Sequence, residues 1–248
     1  MNLELLIDLH RNADYLGPGG EAETLRALAL SRLAPASELA VADLGCGTGA
    51  SALVLARALG IPVLALDRFT PFLERLADRA GNENLGDRLI PVAGDLGDLP
   101  ISDASLDLLW AEGSIYNIGF EAGLQAWRRV LKPGGVLAVS EITWLGDARP
   151  PEIERHWTAE YPEIATAGTK RAQLERHGYR IEGWFPLPSH CWLDNYYLPM
   201  ERRFDDFLER HGHSPDARAF VDAERAEIAL YRRFGTHYSY GFYVASKR

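Results

Sequence analysis

Cysteine is nearly absent from this 248-residue chain: Cys46 and Cys191 are its two thiols. Two cysteines allow one disulfide at most, and Cys46 sits inside a glycine turn. A structural bridge is therefore not expected, and a reducing, cytoplasmic setting is. A basic excess is missing too. Lys and Arg total 26 against 35 Asp and Glu, a formal net charge of −9. Affinity for a nucleic-acid backbone rests on a basic surface, so nucleic acid is not expected as the partner. No apolar run approaches the roughly 20 residues that span a bilayer. Glu4 and Asp8 interrupt the first apolar segment, so neither a signal peptide there nor a membrane partner is expected. Neither an internal repeat nor a low-complexity segment occurs. What is present is an ordinary globular composition, 47% hydrophobic and 25% charged. The length suits one domain with a full core and leaves monomer or homodimer open.

The apolar pattern alternates between two periods. Leu3, Leu5, Leu6 and Leu9 read as a short helix, and Leu25, Leu28, Ala29 and Leu33 as a second one that stops at Pro35. Short apolar runs then follow at residues 39–42, 61–67, 88–92, 106–111 and 136–140. Helical patterns lie between them, one of them from Phe120 to Leu131, and Lys132-Pro133-Gly134-Gly135 reads as the turn from that helix into the fifth strand. Strands that alternate with helices through short loops mean a parallel sheet covered on both faces. Beyond Glu141 the rhythm changes to an excursion rich in proline and aromatics. A helix over 169–177, a strand over 179–187, an aromatic-dense segment over 190–200 and helices over 201–211 and 215–234 follow. A last, partly exposed strand is expected over 238–245.

The densest signal is Val41-Ala42-Asp43-Leu44-Gly45-Cys46-Gly47-Thr48-Gly49, a strand running through three alternating glycines into a helix start. Glycine accepts positive φ and lets a ligand lie on the backbone, so this is a cofactor cradle at the carboxyl edge of a sheet. A dinucleotide cradle spaces its glycines G-x-G-x-x-G. Here the spacing is G-x-G-x-G, and Asp43 precedes it. A carboxylate at that place repels a pyrophosphate and suits an ammonium or sulfonium group.

The stretch closely resembles motif I of the class I S-adenosylmethionine-dependent methyltransferases. The likeness extends over roughly residues 15 to 145 and is nearest to the ubiquinone/menaquinone-biosynthesis branch, although no membrane-binding surface is evident for a quinone substrate. It implies an α/β fold: a Rossmann-like, doubly wound, seven-stranded, mostly parallel sheet with an antiparallel last strand. It also implies one methyltransferase domain over 1–248, with a helical lid at 1–36 and a cofactor core at 37–142. A substrate-covering excursion at 143–248 holds the last two strands and a helical insertion between them.

The resemblance implies S-adenosylmethionine as cofactor and S-adenosylhomocysteine as product. Gly45, Cys46, Gly47 and Gly49 then pass under the methionine part, with Asp43 near its amino end. Asp67, at the end of the second strand, accepts the ribose hydroxyls, or else caps the following helix. Gly94, Asp95 and Leu96 meet the adenine, and Arg68 flanks the adenosine. Tyr15 and Gly19 belong to a second glycine turn that folds over the methionine carboxylate. Glu112 contacts the methionine end, acts as a base, or is a paired buried acid. Tyr116 and Asn117 extend past the fourth strand, where ligands bind in open sheets. They are expected to face the substrate, together with Trp144, Asn195, Tyr196 and Tyr197. Glu112, Tyr116 and His190 are the candidates for a base. No metal is expected, since the adjacent His190 and Cys191 make no coordination sphere by themselves. Methyl transfer to a small-molecule N, O or C nucleophile is the activity implied. A non-catalytic sensor or partner subunit that binds the same cofactor, and a nicotinamide-dependent oxidoreductase, are the alternatives.

Overall fold

The computed structural model describes residues 2–33 and 38–248. The helix stop at Pro35 and the lid boundary at 36 fall outside them. Two helices come first, α1 (Leu3–His10) and α2 (Glu21–Ser31), with the Asn2 side chain capping the start of α1. The alternating core follows as β1 (Val41–Leu44), α3 (Ala50–Leu59), β2 (Val63–Asp67), α4 (Thr70–Asn82), β3 (Leu89–Ala93), β4 (Leu106–Glu112), α5 (Phe120–Trp127) and β5 (Leu131–Trp144). The excursion contributes α6 (Pro151–Glu160), β6 (Ala165–Thr166), α7 (Ala167–Arg176) and β7 (Tyr179–Pro186). After it come α8 (Ser189–Trp192), a π-turn at Leu193–Tyr197 and α9 (Leu198–Glu201). The chain then forms α10 (Phe204–Arg210), α11 (Pro215–Phe234) and β8 (Tyr238–Lys247).

Seven strands form one path in the order β3-β2-β1-β4-β5-β8-β7. Pairing is parallel from β3 through β5, and β8 runs antiparallel to both β5 and β7. The two-residue β6 adds to the end of β5, at Thr143 and Trp144. All four residues of β1 are buried, as a strand covered on both faces must be. The strand order reverses between β1 and its neighbours β2 and β4, which places the ligand crevice at their carboxyl ends.

Three details depart from the sequence reading. Helix α5 ends at Trp127, short of Leu131: the Val130 amide turns back to the Trp127 carbonyl, three residues away, and the Arg129 and Val130 carbonyls accept from Ala104, Ser105 and Leu106. The Lys132-Pro133-Gly134-Gly135 turn lies inside β5, which already pairs at Leu131 with Leu106 and then shifts register. Finally, β8 is no exposed edge. It lies between β5 and β7, with Phe242 against Trp110 on one face and Tyr243 against Phe120 on the other. Helix α6 and strand β6 left no readable periodicity in the aromatic excursion.

Candidate functional site

The glycine turn after β1 folds as its sequence demands. Gly45, Gly47 and Gly49 take φ of +71°, +53° and +90°, a region that side chains with a Cβ rarely enter. The Gly45 and Cys46 amides donate to the Leu66 carbonyl at 2.7 and 3.0 Å, which holds the turn against the end of β2. Asp67 locks it from the same strand: one carboxylate oxygen accepts from the Gly47 amide and the other from the Phe69 amide, both at 2.9 Å. Asp67 is 8% exposed, and burial raises its carboxyl above the usual range despite those amides. Asp67 thus bonds the amide of Phe69, the residue before α4, and caps no amide of the helix itself, and each of its oxygens keeps a further lone pair for a hydroxyl donor.

Beneath the turn, Asp43 is fully buried. One oxygen accepts from Ser51 at 2.6 Å, and the other, Oδ1, has no partner. Burial, opposed by the Ser51 bond and augmented by Glu112 and Asp67, pushes its carboxyl up to about 8. Cys46 is a buried free thiol raised by burial, a packing residue of the loop.

Glu112 ends β4 on the other side of β1. Its Oε1 accepts from the Thr24 hydroxyl at 2.7 Å and from the Trp110 indole at 2.8 Å, and its Oε2 faces Gly19 beside the Tyr15 ring. Burial pushes this carboxyl up to about 7. Burial likewise pushes the Tyr15 phenol to about 12, with Glu112 adding to it. The segment before α2 is tied to the loop: the Thr48 hydroxyl donates to the Ala13 carbonyl at 2.7 Å, and Arg79 bridges the Asp14 and Thr48 carbonyls.

These groups test whether S-adenosylmethionine fits. An unpartnered buried carboxylate oxygen at Asp43 and a second acid at Glu112 suit a cationic amino end, while Asp67 offers acceptors on the opposite flank. The fit is good. Asp95 is exposed, and its Oδ1 accepts from the Gly97 amide in a tight turn. The Gly94 amide donates to the Asp67 carbonyl, and the Leu96 carbonyl accepts from Trp127. Arg68 is exposed over the Phe69 ring.

On the acceptor side, the short 3-10 turn Ile115–Asn117 carries Tyr116 past β4, 45% exposed and edge-on to Tyr161. Asn117 folds back to the Ser114 carbonyl. Tyr196 stacks on His10, the Tyr197 hydroxyl donates to Glu227 at 2.9 Å, and Asn195 donates to the Gly19 carbonyl at 2.7 Å. Two further placements bear on the expectations. Trp144 packs in the core between Tyr238 and Arg149. His190 lies on the α2 side, 3.5 Å from Glu23, its side chain 47% exposed.

The sequence reading did not single out Thr24, Tyr240, Glu224 and Glu227. Tyr240 packs over Gly113, where a Cβ would lie 2.9 Å from the ring. Glu224 and Glu227 are one helical turn apart on α11, a spacing that reads as a solvated face. Burial pushes Glu224 up to about 7 and raises Glu227 as well. A depression of about 290 Å³ lined by Leu208, His213, Arg218 and Val221 lies elsewhere, between α10 and α11, and shares no residue with the crevice. Among the described residues, no helix is long and apolar enough to cross a membrane.

Comparison with known proteins agrees with this geometry. Residues 42–139 match the model of a methyltransferase domain. The chain is 27% identical over 210 residues to the 27-O-demethylrifamycin SV methyltransferase of Amycolatopsis mediterranei, covering 83% of this chain and 75% of that enzyme. It is 35% identical over 170 residues to the methyltransferase GfsG of Streptomyces halstedii, covering 68% of this chain and about half, 53%, of that protein. In fold it resembles a SAM-dependent methyltransferase from Geobacter sulfurreducens solved with S-adenosyl-L-homocysteine, at a TM-score of 0.83 and 21% identity, covering 99% and 97% of the two chains.

Proposed function

We propose that this chain, which belongs to the class I S-adenosylmethionine-dependent methyltransferases, methylates a nitrogen, oxygen or carbon nucleophile of a small molecule. S-adenosylmethionine is its cofactor. The observation that carries the assignment is the pair of acids flanking β1: Asp67 holds the glycine loop from β2, and Glu112 faces the Gly19 turn from β4.

In this reading Asp67 takes the ribose hydroxyls, and Asp95 with the Leu96 amide takes the adenine. Glu112 and Asp43 hold the amino end. One oxygen of Glu112 is held by Thr24 and Trp110, which aims the other at the Gly19 turn and the methionine end, so we assign it to binding rather than to proton removal. Tyr15 and Gly19 cover the methionine end, and α1 and α2 act as the lid. When bound, the cofactor supplies an activated methyl group on a sulfonium, so the protein's share is alignment and exclusion of water.

Tyr116, Tyr196, Tyr240 and Glu227 shape the acceptor side. Tyrosine faces and a carboxylate suit an acceptor that carries an amino group. Such a nucleophile must lose a proton before it attacks, and Glu227 with its neighbour Glu224, both raised by burial, takes that proton. A turnover panel of small amines, phenols and thiols, read by S-adenosylhomocysteine release, tests the assignment. Turnover with amines supports it. Binding of the cofactor with no product from any acceptor class overturns it in favour of a sensor.

A further inference from the structure

We propose that Glu23, His190 and Cys191 form a binding site for a zinc-class divalent cation, separate from the methyl-transfer groups. Among the described residues these three are the one group whose His, Cys and carboxylate donor atoms all lie within 4.8 Å of one another. They come from two elements: Glu23 from the first turn of α2, and His190 and Cys191 from α8. Neighbours on a helix point about 100° apart, so the imidazole and the thiol approach a shared point from different directions. The carboxylate arrives from the lid.

Glu23 is what makes the cluster more than a chance grouping. It is only 9% exposed, and its Oε2 has no hydrogen-bond partner. Its other oxygen lies 3.5 Å from His190 Nε2. In the metal-free protein only the weak donor of the Cys191 thiol serves this buried carboxylate, and a cation meets it better. The backbone makes room for this placement: a Cβ at Gly20 would collide with Glu23 Oε2 and lie 3.4 Å from Cys191 Sγ. That glycine position is therefore reserved for the carboxylate and the sulfur.

The donor chemistry selects the metal. Thiolate, imidazole and carboxylate together suit zinc rather than magnesium or calcium, which take oxygen ligands. Bond lengths of about 2.0–2.3 Å in a tetrahedron put donors about 3.3–3.7 Å apart. The Glu23–His190 approach of 3.5 Å already has that spacing, and the donors, all within 4.8 Å of one another, close on the ion through the exposed His190 ring. Three protein donors leave one position for water on the open side of His190.

A cation here pins the start of α2 to α8. The next residue on α2 is Thr24, whose hydroxyl holds Glu112, and α8 runs into Asn195, which bonds the Gly19 carbonyl. The metal therefore fastens the lid over the crevice from the side opposite the glycine loop.

Titration of the metal-free protein with Co²⁺, followed by Zn²⁺ competition, tests the site. One equivalent with a thiolate-to-cobalt charge-transfer band is expected. That band should vanish in Cys191→Ser and persist in Cys46→Ser. Glu23→Gln should weaken binding by at least about tenfold. Circular dichroism and denaturant unfolding, measured on each variant, report folding and keep this result separate from the methyl-transfer assignment. Absence of the band in the folded wild type, its survival in Cys191→Ser, or unchanged affinity in Glu23→Gln overturns the proposal.

Discussion

The Thr24 hydroxyl donates to Glu112 Oε1 at 2.7 Å, joining α2 to the end of β4 across 88 positions of chain. The bond leaves the second carboxylate oxygen facing Gly19 and Tyr15. A side chain on α2 thereby sets the direction of the acid assigned to the cofactor's amino end. Under the proposed assignment, the position of α2 and the affinity for the cofactor are coupled through this contact.

Thr24→Val keeps the shape of the side chain and removes the donor. The cofactor should bind more weakly by about 1 kcal/mol, the net value of one such bond. Calorimetry with S-adenosylhomocysteine measures it, and unchanged affinity would place the lid outside the binding event.

Cofactor binding should strengthen as pH rises through about 7, where Glu112 ionises in the free protein, and Asp43 extends the trend toward about 8. A cation on the ligand favours the charged carboxylates, so binding releases protons. In the ligand-free protein the sign is reversed. These acids are raised above their unfolded values, so the folded state holds more protons and loses stability as pH climbs from the ordinary carboxylate range through about 7. Calorimetry in buffers of different ionisation enthalpy counts the protons. Glu112→Gln should remove its share, and a count equal to wild type would contradict the assignment.

What the sequence made legible was the cofactor half. The glycine spacing, Asp43 and the acid ending β2 are local features, fixed by strand, turn and helix within a few residues of each other. The acceptor half was not, because it depends on how distant elements pack. Glu227 looks like one more charge on a polar helix face until α11 folds back and Tyr197 bonds it. His190 and Cys191 carried no metal signal as neighbours; Glu23, on a helix 167 residues earlier than His190, supplies the third donor. Trp144 shows the converse. It reads as a pocket aromatic beside prolines, yet the pairing of β5 with β8 draws it against Tyr238.

Glu227→Gln should raise the acceptor KM or lower kcat while the affinity for S-adenosylhomocysteine stays within about twofold, since a contact made by one ligand alone leaves the other's binding unchanged. Loss of cofactor binding in the same variant, with the fold intact, would move Glu227 out of the acceptor side.

Lys170 and Glu141 are both buried, with Lys170 Nζ 3.9 Å from a carboxylate oxygen, and burial drives each toward its neutral form. Removing one partner strands the other, so Lys170→Met should cost about 3 kcal/mol in denaturant unfolding. The double variant Glu141→Gln/Lys170→Met should recover most of that. A single variant as stable as wild type would mean the pair is not held together in solution.

Calorimetric titration of wild type and Asp67→Ala with S-adenosylhomocysteine, and of wild type with NAD, tests the central assignment most directly. The account predicts one site for S-adenosylhomocysteine, weakened by at least ~1–3 kcal/mol when the Asp67 acceptors are lost, and no binding of NAD. Tight binding of NAD, or full affinity for S-adenosylhomocysteine in a folded Asp67→Ala protein, would contradict it.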